Sequence, residues 1–108
     1  MNISKADAIA HLAKWYDART EIRSIYRTDT GNLSIVGQIT ELTEAAITIV
    51  GTKCEMQLYF RSMAEYGYED TRELPTEANK ERVNKYPTVI DIKFATDDRV
   101  KISEFFKD

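Results

Sequence analysis

Cysteine, histidine, proline and glycine are all scarce in this chain: one, one, two and four in 108 residues. Each scarcity removes a class of function. A single cysteine, Cys54, cannot close an internal disulfide, so the fold does not depend on oxidation. Cys54 falls in the apolar register of an alternating run, the position of a small buried hydrophobe, and no His or Asn lies near it in sequence to make it a nucleophile. His11 has no second ligand at metal spacing and is expected at the surface. So few glycines leave little room for a phosphate-cradling loop, and the chain shows neither paired metal ligands nor a Ser-His-Asp set. The expectation is a protein that is not an enzyme and carries no metal or cofactor. A basic excess is missing too. With a net charge of −3, any nucleic-acid site has to be local. There is no apolar run of the roughly 18 residues a membrane helix needs, and no apolar N-terminal run of signal-peptide length. No membrane partner and a cytoplasmic location are expected.

What the chain does have is alternation. Its 43% hydrophobic and 31% charged residues are those of an ordinary globular domain and not of a disordered one, and the length suits a single domain. From Leu33 to Phe60 three alternating runs are separated by short polar turns, the pattern of half-buried strands. Leu33, Ile35, Gly37 and Ile39 share one face, then Ala45, Ile47 and Ile49, then Cys54, Met56, Leu58 and Phe60. Gly37 sits inside the longest run, where glycine weakens a strand unless the backbone bends sharply.

Residues 3–18 read as a helix capped by Ser4 with Asp7 three positions on, burying a stripe of Ile9, Leu12, Ala13 and Tyr16. Strands are expected near 21–28, 33–42, 45–50, 54–60 and 88–95, with 100–106 a last short strand or a closing segment. Asp29 to Asn32 supply a hairpin turn between the first two strands. Residues 61–87 hold both prolines and many charges, and read as a solvated excursion with a short helix from Thr76 to Lys85. The predicted fold is mainly β: an N-terminal α-helix, then a small, strongly bent antiparallel five-stranded barrel, Sm-like or SH3-like, with the irregular excursion before the last strands.

The stretch from Ile22 to Ile49 resembles the Sm-like (LSm and Hfq-like) small β-barrel family. Ile35, Gly37, Ile39, Leu42, Ile47 and Ile49 keep the spacing of that family's first motif, although Thr43 stands where the family usually has aspartate. Phe60, Arg61 and Ser62 resemble its second motif, with Ser62 in place of a histidine. The resemblance implies a homo-oligomeric ring, a hexamer or heptamer, that binds single-stranded RNA near its inner rim. The contacts it implies are Phe60, Arg61 and Ser62, with Glu44 in the turn after the second strand. Arg23 and Arg27 form a secondary basic strip on an outer strand face. The alternative is a protein-interaction module on the same kind of barrel that lacks an RNA pocket, favoured by the missing aspartate and histidine and by the negative net charge.

Overall fold

The computed structural model describes residues 1–61, 63–70, 72 and 87–106. Strand β1 (Asn2–Ile3) leads into helix α1 (Lys5–Asp17). Then come β2 (Ile22–Thr28), β3 (Gly31–Leu42), β4 (Ala46–Gly51) and β5 (Glu55–Tyr59), followed by β6 (Glu65–Asp70), β7 (Thr88–Lys93) and β8 (Arg99–Glu104). The predicted short helix from Thr76 to Lys85 lies outside the described residues.

The helix starts where the capping residues place it. Ser4 is extended at the N-cap, and its hydroxyl accepts a hydrogen bond from the Asp7 amide at 3.0 Å. The buried stripe is Ala8, Leu12 and Trp15, one position round from the predicted one, and Tyr16 is exposed. Trp15 wins the inward position because its ring is the larger apolar surface to remove from water.

The eight strands form one antiparallel sheet in the order β1-β6-β7-β8-β2-β3-β4-β5. This corrects the expected five-stranded barrel: the molecule is mainly β with an N-terminal helix, but the sheet is open. The reason is an extra pair of partners. Closing a five-stranded barrel leaves the strand that ends the chain beside the first one, with its other side meeting the fourth. Here β8 does pair with β2, but its other side is taken by β7, which pairs with β6. Strand β5 therefore finds nothing to close against. Strand β6 falls within the predicted excursion; Tyr66 and Tyr68 alternate as a strand requires, but Gly67 and the flanking acids give that segment the composition of a loop.

The open sheet is nonetheless curled. Helix α1 packs against both β3 and β6, which are separated in the sheet by β7, β8 and β2, so the sheet wraps around it. Two features of β3 permit the bend. At Gly37, paired with Gly51, a side-chain carbon would overlap the carbonyl of Val50. At Thr40 the register to β4 shifts between Ile39 and Glu41, a bulge that bends the strand. Inside the curl Ile22, Ile47, Ile49, Ile90, Val100 and Ile102 are fully buried.

Candidate functional site

Alternation assigns each strand two faces, and register decides which side chains become neighbours. Along β5, Met56 and Leu58 point into the core while Glu55, Gln57 and Tyr59 point out. The backbone alternates as well. Phe60 N–H donates to the Ala45 carbonyl and Gly51 N–H to the Cys54 carbonyl, both at 2.8 Å. In antiparallel pairing the hydrogen-bonded residues of β5 are then Cys54, Met56, Leu58 and Phe60. The N–H and C=O groups of Glu55, Gln57 and Tyr59 face away from β4 at the end of the sheet, with no partner among the described residues. A bare edge of this kind is a template for another strand, and β5 carries neither proline, lysine nor a bulge to blunt it.

Beside that edge the unclosed curl leaves a hollow of about 390 Å³. Leu58 and Tyr59 line one side, Tyr26 and Phe94 the other, with Arg61 and Met63 at the rim. Tyr59 is 53% exposed and Met63 79%, large apolar groups left in water. The Arg61 guanidinium lies 5.4 Å from the centre of the Tyr59 ring, within cation–π range. Tyr26 and Phe94 pack with ring centres 6.4 Å apart. The Tyr26 hydroxyl donates to Asp98 Oδ2 at 3.2 Å, which fixes the far wall. Burial first, and then the Asp98 carboxylate through its hydrogen bond and its charge, raise the Tyr26 pKa above the ordinary phenol value.

The residues expected to contact RNA are not gathered in one place. The Phe60 ring is in the core, 5% exposed, and cannot stack on a base. Arg61 is exposed and lines the hollow. Ser62 lies outside the described residues. The turn holding Glu44 adjoins Phe60 through the Ala45 carbonyl, but Glu44 itself borders a separate depression with Lys5, Ala6 and Ile9. Arg23 and Arg27 lie on the opposite face of the sheet, away from Tyr26. Cys54 corrects the expectation of burial: it is exposed, since it precedes β5 in the turn that its carbonyl closes with Gly51. His11 is half-buried, its ring stacked on Tyr68 with centres 4.0 Å apart and planes 6° apart.

Register also groups residues that sequence reading left apart. Arg27 stands directly opposite Arg99, and Arg99 directly opposite Lys93, across β2, β8 and β7. Lys101 and Arg23 follow on the same outward face. Like charges placed directly opposite cost about 0.2–1 kcal/mol per pair. The two-residue spacing of Arg99 and Lys101 was visible in sequence; their partners across the sheet were not.

Among the described residues, no group of three His, Cys, Asp or Glu side chains converges to hold a metal ion, and no helix is long and apolar enough to cross a membrane. No family model matches the chain, and neither a curated protein nor a solved structure is similar enough to count as a match.

Proposed function

We propose that this protein is a non-catalytic interaction module that takes up an extended segment of a partner protein by adding it as a strand to β5. The observation that carries this reading is the bare β5 edge lying against the hollow between Tyr59 and Phe94. Strand addition divides the work in two. Main-chain bonds to Glu55, Gln57 and Tyr59 hold the segment without regard to sequence, and the hollow admits one side chain and so selects among sequences. Its walls favour a long apolar or aromatic residue, and Arg61 at the rim favours an acidic neighbour.

Each net hydrogen bond contributes about 0.5–1.5 kcal/mol and one buried apolar side chain about 1.5–3 kcal/mol. Ordering a peptide opposes them, so the affinity expected is of micromolar order, about −8 kcal/mol.

The same edge bears on self-association. The ring implied by the Sm-like resemblance pairs one edge of each copy with a different edge of the next. In this sheet the other end is β6, covered by β1 at Asn2 and Ile3, and β1 runs straight into α1. Copies meeting through β5 alone would pair it with itself about a two-fold axis and stop at two.

The test is to select binders from random peptides displayed against the immobilised protein, then titrate a selected peptide into labelled protein. Amide shifts centred on Glu55, Gln57 and Tyr59 are expected, with loss of binding in Gln57→Pro. That proline removes an outward N–H and spares the bonds to β4. Peptides that bind with β5 unshifted, or with full affinity to Gln57→Pro, would contradict the reading.

A further inference from the structure

On the convex face, opposite the hollow, lies a charge pattern that strand addition does not use. Lys93, Arg99 and Arg27 form one row across three adjacent strands, each directly beside the next. Lys101 continues along β8 and Arg23 along β2. Neither β8 nor β2 carries an acid on this face: their other outward residues are Ser103 and Ile25. Acids border these cations on the β6 side: Asp91 on β7 stands directly opposite Lys101, and Glu65 on β6 directly opposite Lys93. Among the described residues Arg27, Arg99 and Lys101 have no ion pair. Lys93 reaches the exposed Asp97 at 3.8 Å, and Arg23 Nε donates to Ser34 Oγ at 3.3 Å.

In a chain where acids outnumber lysine and arginine, 18 to 15, the row of Arg27, Arg99 and Lys93 still places like charges directly opposite one another at the centre of the sheet. Strands lie about 4.8 Å apart and alternate residues about 6.8 Å apart along each strand, so the cations form a shallow grid open to solvent.

We propose that this face binds single-stranded nucleic acid through its phosphates. Guanidinium groups, three of the five cations, match phosphate oxygens in a two-pronged geometry. A membrane surface fits less well, because no aromatic side chain stands out among these cations to enter the headgroup layer. A protein partner fits less well, because the hollow beside Lys93 and Arg99, about 180 Å³, is lined by Glu65 and Asp91 as well and is not a site for a large apolar anchor. Because no aromatic side chain stacks a base here, binding does not depend on sequence.

The test uses the full chain and a short labelled oligo(U), followed by anisotropy while salt is raised. With three to five phosphate contacts, log K is expected to fall against log[salt] with a slope of about −2 to −3.5, at about −0.7 per contact. Arg27→Ser with Arg99→Ser is expected to flatten the slope by about 1.4 and to weaken binding at low salt about tenfold or more. The double variant should melt no lower than the parent, since it removes repulsion. Lys14→Ser with Lys53→Ser, which removes equal charge elsewhere, should leave the slope unchanged. No binding at low salt would overturn the proposal. So would equal losses in the two double variants, or equal binding of polyglutamate or of anionic phosphatidylserine vesicles.

Discussion

The Ser24 hydroxyl on β2 meets the Met56 sulfur on β5 at 3.3 Å, although β3 and β4 lie between them in the sheet. That contact spans the inside of the curl and holds the free edge over the core. Both residues are buried, Ser24 completely. Met56→Ala is expected to cost about 2–5 kcal/mol through lost burial and the cavity left behind. Ser24→Ala removes one weak bond and is expected to cost under about 1.5 kcal/mol. Urea unfolding of both variants checks the difference, and near-equal losses would mean the curl is not held from inside.

At Gly37 the backbone of β4 leaves no room for a side chain on β3. Gly37→Ala places a carbon against the Val50 carbonyl and is expected to destabilise by about 1–3 kcal/mol or more. At Gly67, where the nearest atom to an added carbon is 3.6 Å away, the same change is expected to stay within about 0.5 kcal/mol. Thermal melts of the two variants, run side by side, test this ordering.

Tyr26 titrates above the ordinary value of 10.0 for a phenol. The folded state favours the protonated ring, so its contribution to stability is complete below the unfolded value and is lost as pH rises through the raised folded one. Tyr66, raised by burial alone, adds in the same direction. Ultraviolet titration should show phenol groups ionising late. Asp98→Asn should lower the Tyr26 value without restoring it to 10.0, because burial, the larger cause, remains. No change in that variant would mean the carboxylate does not set the far wall of the hollow.

Much of this molecule was legible as pattern. Ser4 and Asp7 mark the helix start, and Thr43 marks the β3–β4 turn, where its hydroxyl accepts from the amides of Ala45 and Ala46, each at 3.1 Å. The alternation separates core from surface in β5, including the outward position of Tyr59, but less cleanly elsewhere. Leu33, expected on the core face of β3, is 57% exposed, and Thr48 in β4 and Val89 in β7 are buried on the other face. Closure was not legible, because it depends on which strand takes the free side of β8, and β6, which β7 brings with it, is written in tyrosine, glycine and acid. The basic face was half legible: Arg23 and Arg27 were marked, while Arg99, Lys101 and Lys93 joined them only through register. Arg61, expected from the resemblance to contact RNA, lies at the rim of an apolar hollow.

Amide hydrogen exchange along β5 tests the central claim most directly, with and without a selected peptide. In the free protein, Met56 and Leu58, bonded to β4, should exchange slowly, and Glu55, Gln57 and Tyr59 rapidly. The bound peptide should slow those three and leave the slow pair little changed. Protection of Glu55, Gln57 and Tyr59 in dilute free protein, or none gained on binding, would contradict strand addition at β5.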